Sequence, residues 1–201
     1  AFHTATLEPS ELDDEVAVKP SEIDGQGPRT KHYRESFESM QKNEPNKMWL
    51  APSEYDLVMD MAGAALDHPL LKTHLSERDT IIEGTGYFEM EGAKCKVRPD
   101  LYNPGAGVVI DLKSTQDASE KGFAKSVRQF GYAFQACWYI HALRLLGAKP
   151  KQFVFLAVEK SAPHLTAAYT LSASDIDKRL AHLEMARTLW GICENRGVWA
   201  I

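Results

Sequence analysis

The stretch KVRPDLYNPGAGVVIDLKST, residues 96–115, decides the fold of this chain. Its centre, Asn103-Pro104-Gly105-Ala106-Gly107, is a run of turn-formers between two β-prone segments. That pattern predicts a chain reversal with the two strands side by side. Side chains alternate along a strand, so Asp111 and Lys113 point to one face. Val109, Ile110 and Leu112 set the second strand in a core, and Asp100, eleven positions before Asp111, arrives on the first. A core strand does not carry charges without partners.

Two carboxylates and a lysine brought to one point suit a particular chemistry. Hydrolysing a phosphodiester drives water onto an already anionic phosphorus. Converging carboxylates can hold one or two hard divalent cations that neutralise this charge and acidify the water. A lysine beside them can position the water or stabilise the developing charge. Taken alone, the pattern also fits a surface salt bridge between Asp111 and Lys113 on a β-hairpin.

Two further segments keep company with this one. In GFAKSVRQFGYAFQACWYIHALRLLG, residues 122–147, apolar residues recur at helical spacing, and Gly147 and Pro150 end the helix. Gln135 and Tyr139 stand four apart on it, one turn from each other. At the start lies AFHTATLEP, residues 1–9, a histidine followed a turn later by Leu-Glu-Pro. In the order His, Pro-Asp, Asp-x-Lys, Gln-x-x-x-Tyr, these motifs resemble those of RecE-like (exonuclease VIII type) phage and prophage exonucleases. Those enzymes form part of the RecB-type branch of the PD-(D/E)xK nuclease superfamily. The resemblance runs from residue 2 to about residue 160 and includes AALDHPLLKTHL ahead of the first strand.

The resemblance implies an α/β fold, a central mixed β-sheet flanked by helices as in restriction endonucleases. It implies that Asp100 and Asp111 are ligands of Mg²⁺ or Mn²⁺, that the Leu112 carbonyl completes the coordination, and that His3 is a further ligand. Lys113 would be the catalytic lysine, with Gln135 and Tyr139 supporting the site. Glu83 resembles the acidic residue that many superfamily members carry on the strand before the Pro-Asp strand. Asp111 stands where many relatives have Glu. Arg98, Lys125 and Arg128 are candidates for nucleic-acid contact by their proximity to the motifs. The family also implies 5′-to-3′ degradation of linear double-stranded DNA from its ends, a ring-shaped homo-oligomer and a single-strand annealing partner in phage recombination. A structure-specific or restriction-type endonuclease, or a non-catalytic DNA-end scaffold, could be built on the same fold.

With 201 residues and 44% hydrophobic content the chain suffices for one core. We therefore expect a single nuclease domain over residues 1–201. The apolar pattern of residues 1–8 starts without a cap, as in the end of a helix that begins earlier, so the domain reads as part of a longer protein. Cys95, Cys137 and Cys193 are too few and too scattered for a disulfide framework, a zinc site or the iron–sulfur cluster of some RecB-type enzymes. With no apolar run of membrane-spanning length and no signal-peptide pattern, the expected location is the bacterial cytoplasm. The net charge of −5 speaks against a general nucleic-acid binder, but an enclosing nuclease needs only a positive channel.

The rest reads as helices over 34–42 and 52–75, strands over 80–90, 94–102, 107–114, 152–159 and 164–171, and a last helix opening with a capping box at Ser174 and Asp177. Residues 13–33, rich in charge, Pro and Gly, read as a long loop. Trp49, Trp138, Trp190 and Trp199, with Tyr132 and Phe134, could stack bases; at helical spacing they read as core, and Trp199 also as a subunit contact.

Overall fold

The protein is described by a computed structural model covering residues 1–90, 92–171 and 173–199. The chain divides into two compact units, Ala1–Leu66 and Asp67–Ile201.

The first unit contains α1 (Phe2–Leu7), a 3₁₀ turn (Pro9–Glu11), α2 (Leu12–Glu15), β1 (Val16–Val18), α3 (Lys31–Asn43), β2 (Met48–Leu50) and most of α4 (Pro52–Asp67). β1 and β2 pair in parallel, Val16 opposite Met48. Ala5, Leu12, Val16 and Ala62 form the core, with Leu50, Tyr55 and Val58 packed against them. The expected loop over 13–33 is thus interrupted by β1, whose partner lies some thirty residues on. Local periodicity cannot reveal a three-residue strand paired at that distance. Beyond β1 the segment is tied down by Tyr33, whose hydroxyl donates to the Pro20 carbonyl at 2.6 Å.

The second unit holds α5 (Pro69–Ser76), β3 (Ile81–Ile82), β4 (Gly86–Met90), β5 (Ala93–Val97), β6 (Leu101–Asn103), β7 (Val108–Thr115), α6 (Glu120–Gln129), α7 (Tyr132–Leu145), β8 (Gln152–Glu159), β9 (Thr166–Thr170) and α8 (Ala173–Arg196). Its five-stranded sheet has the order β3-β6-β7-β8-β9. β7 and β8 are parallel, and the other pairs antiparallel. The sheet is therefore mixed, and α6 and α7 form the crossover that a parallel pair requires. Val109, Phe153, Phe155 and Ala157 of the sheet pack with Phe123 of α6 and Ala136, Ile140 and Leu143 of α7 in one core. The expected class, α/β with a central mixed sheet flanked by helices, is the one observed.

Four expected elements are broken. The strand over 94–102 divides around Pro99 into β5 of a hairpin and β6 of the sheet. Each of the other three breaks at a residue with a backbone reason. The helix over 52–75 divides before Pro69, which disfavours helical geometry at His68; the His68 ring instead caps α5, accepting the Leu70 N–H at 3.2 Å. The helix over 122–147 divides at Gly131, whose φ of +68° lies in the left-handed region. The strand over 80–90 divides at Glu83, with φ of +49°. There β3 leaves the sheet, and β4 pairs with β5 in a separate hairpin, where Phe88 meets Trp138 of α7 with ring centres 5.5 Å apart. The Ser174/Asp177 capping box lies outside the described side chains.

The 103–107 reversal is built as its sequence suggests. Asn103 accepts the Ala106 N–H through its side chain at 3.0 Å and the Gly107 N–H through its carbonyl at 2.8 Å. Gly107 has φ of +72°, and a Cβ there would lie 3.0 Å from the Lys149 carbonyl oxygen and 2.9 Å from Lys151 Cγ. Gly107→Ala is expected to cost about 1–3 kcal/mol through that conformation and crowding. Urea unfolding measures it, and an unchanged midpoint would refute the requirement for glycine.

Candidate active site

β6 stops short of the middle of β7. Its pairing ends at Leu101 opposite Ile110, and Pro99 just before has no N–H to give to a ladder. The Leu112 amide, next along that edge of β7, donates instead to the Asp100 carboxylate at 2.6 Å. A side chain thus continues where the strand leaves off. The amide and carbonyl of one strand residue leave by the same edge, which directs the Leu112 carbonyl toward the Asp100 side as well.

Asp111 sits on β7 with its side chain only 1% exposed. Gln135 Nε2 of α7 donates to Oδ1 at 2.7 Å, and the Lys113 ammonium is in direct contact with Oδ2. A carboxylate excluded from water needs such compensation on both oxygens. The two-residue spacing in a strand supplies the lysine, and the parallel crossover supplies the glutamine. Lys113, 15% exposed, also lies 4.8 Å from the centre of the Tyr132 ring. That ring, packed on Phe123, Phe130 and Phe155, forms a fixed floor for the ammonium.

Tyr139 stands one turn beyond Gln135. Burial pushes its phenol above the ordinary tyrosine range, a hydrogen bond with Gln135 pulls the other way, and the charges of Asp111 and Asp100 add to the rise against Lys113. Tyr139 is thus a neutral phenol in the field of both carboxylates. Burial likewise raises the Tyr132 phenol, with Lys113 opposing and Asp111 adding. Tyr132, Gln135 and Tyr139 recur at i, i+3 and i+7, one stripe of α7 turned toward β7. Reading only Gln-x-x-x-Tyr misses Tyr132, although the same helical spacing extends to it.

Glu83 is not on a strand but just past β3. Its N–H donates to the Asp100 carbonyl at 3.0 Å, and its largely buried carboxylate pairs with Arg98 Nε at 2.7 Å. Arg98, expected at nucleic acid, is therefore engaged with Glu83 on the flank of Asp100. Lys125 and Arg128 lie exposed on α6. His3 belongs to α1 of the first unit, its ring edge-on to Phe2 with centres 5.5 Å apart. Among the described residues, no group of three or more His, Cys, Asp or Glu side chains forms a metal cage. The hard oxygens of Asp100, Asp111 and the Leu112 carbonyl nevertheless fit a cation such as Mg²⁺, which takes one or two carboxylates and fills its remaining positions with water and phosphate.

The expected aromatic core is realised in part. Trp138 is half-buried, whereas Trp190 and Trp199 are 53% and 47% exposed and meet edge to face, 4.7 Å between ring centres. Among the described residues no helix is long and apolar enough to cross a membrane.

The Asp111–Gln135 bond has a measurable worth. Gln135→Leu, which leaves a buried carboxylate oxygen without its donor, is expected to lower stability by about 1.5–3 kcal/mol in guanidinium unfolding. No loss would show that this hydrogen bond does not hold the site.

A family profile described as "PDDEXK-like domain of unknown function (DUF3799)" matches residues 1–200. Among solved structures, that of a putative exonuclease from Eubacterium rectale superposes with a TM-score of 0.62 at 18% identity. The alignment covers 84% of this chain and 65% of that one, so this chain spans just under two thirds of that protein, and the likeness is one of fold. The crystal structure of SSO0001 superposes with a TM-score of 0.36 at 16% identity, covering 77% of this chain and 69% of that one. Among curated proteins none matches significantly.

Proposed function

Since this chain belongs to the PDDEXK-like domain family, we propose that it is a metal-dependent deoxyribonuclease that degrades linear double-stranded DNA from its ends. The observation that carries the reading is the convergence at β7: Asp100 bound to the Leu112 amide, and Asp111 buried between Gln135 and Lys113. Asp100, Asp111 and the Leu112 carbonyl would hold Mg²⁺ or Mn²⁺. When bound, the cation neutralises phosphate charge and acidifies the attacking water.

The chain's own residues do the rest. Gln135 fixes the orientation of Asp111, so that its carboxylate meets a ligand without paying for reorganisation. Lys113, still reachable from solvent and steadied by Tyr132, holds a positive charge where negative charge develops on the scissile phosphate. Tyr139 remains a proton donor within reach of Gln135.

The finer reading follows the motif order and the RecE-like resemblance: 5′-to-3′ polarity, a ring-shaped homo-oligomer, a single-strand annealing partner and action in the cytoplasm of a bacterial host. By the same resemblance His3 would be a further ligand of the metal. The exonuclease name of the Eubacterium rectale protein is in line with an end-dependent enzyme.

The test is digestion of a linear duplex labelled separately at each 5′ and 3′ end, beside the same sequence as a closed circle, with Mg²⁺ and with chelator. We expect 5′-terminal products from the linear form alone, lost with chelator. Lys113→Ala leaves Asp111 short of a partner and should cost stability. Compared where circular dichroism shows both proteins folded, it should lower the rate by at least about 100-fold while sparing DNA binding. Cutting of the circle would replace the end-dependent reading by an endonuclease, and near wild-type turnover by the Lys113 variant would remove the proposed site.

A further inference from the structure

One residue beyond Lys113 along β7, the chain opens onto a groove of about 410 Å³. Ser114 and Gln116 line it from the end of β7, Lys125, Gln129 and Phe130 from α6 and its C-terminal end, and Lys160 from the end of β8. The two lysines therefore come from different elements, α6 on one side and the β8 exit on the other. The Lys160 amide donates to the Thr115 carbonyl at 2.9 Å, which ties this residue to the strand that carries Asp111 and Lys113. The acidic member of the lining, Asp117, is turned to its own loop, accepting the Ser119 N–H at 2.8 Å, and that bonding holds its carboxyl below the ordinary range.

Phe130 is the second observation. It is 59% exposed and lines the groove. One side of its ring stacks on Tyr132 with centres 5.6 Å apart and planes 29° from parallel. Tyr132 in turn floors Lys113. The aromatic pair thus leads from the reactive lysine into the groove. Cations along the walls, amide and hydroxyl groups between them and a flat ring at the entry are the parts of a track for a single nucleic-acid strand, which binds through phosphate charge and base stacking.

We propose that this groove holds single-stranded DNA leading to or from the scissile phosphate, with a base stacked on Phe130 and phosphates at Lys125 and Lys160. The identity of the ligand rests on the nuclease reading; the geometry of the track does not. An end-dependent enzyme that holds one strand here must part the duplex before cutting.

The experiment is fluorescence anisotropy of the full chain with a labelled oligothymidylate and, separately, a blunt duplex, both in chelator so that nothing is cut. Phe130→Leu should weaken single-strand binding by roughly 5- to 100-fold and leave duplex binding within about twofold. Lys125→Gln with Lys160→Gln should reduce the slope of log affinity against log salt by about 1.4, the share of two phosphates on a single strand. Circular dichroism verifies that both variants fold. Unchanged single-strand binding in both variants, or equal loss for strand and duplex, would overturn the track. Because binding is read without metal, a wild-type protein that binds the strand but never cleaves with Mg²⁺ would refute the nuclease reading and support the groove.

Discussion

The interaction on which the second unit depends is the compensation of one charge. Asp111 lies on β7 opposite Phe155 of β8 and is shut off from solvent, where an isolated carboxylate would be intolerable. Lys113 and Gln135 answer one oxygen each, the first by strand alternation and the second by the docking of α7. The position of α7 is thus set by a polar contact as well as by the apolar packing of Ala136, Ile140 and Leu143 against the sheet. Such a pair adds little net stability over an apolar substitute, but removing either partner is expensive.

Asp100 is held by a different device. A full-length β6 would have filled the place beside Asp111 with backbone. Pro99 and the bend that follows shorten the strand, and the Asp100 side chain takes over the Leu112 amide. On the outer flank, Glu83 adopts a left-handed conformation, binds the Asp100 carbonyl through its amide and meets Arg98 through its side chain. Polar groups thus replace ladder hydrogen bonds around a gap in the sheet, and the site occupies that gap.

What could be read in the sequence was what is local. Asn103-Pro104-Gly105 announces its turn, alternation places Asp111 with Lys113, and four-residue spacing places Gln135 with Tyr139. What escaped is set by backbone conformation or by distance along the chain. The apolar periodicity of α6 runs through Gly131 into α7 without a skip, so only the left-handed φ discloses two helices. Glu83 reads as part of a strand by its apolar neighbours, although Gly84 and Gly86 directly after it are a local signal of the break. β1 depends on a partner beyond α3. Tyr132 was within reach, since it extends a stripe already noticed, but an aromatic at helical spacing reads as core, and half of its environment is core.

The parallel pairing of β7 with β8 carries a further consequence, in the order of assembly. Asp111 faces Phe155 across that ladder, 44 positions later in the chain, whereas the β6–β7 hairpin closes over only a few residues. Loop closure favours the near contact, and parallel pairs form slowly. One edge of β7 can therefore zip while the other is still wet, and the carboxylate need give up its water only when α7, lying between the two strands in the chain, arrives with its amide. Placing the glutamine on the crossover itself makes desolvation and compensation a single event.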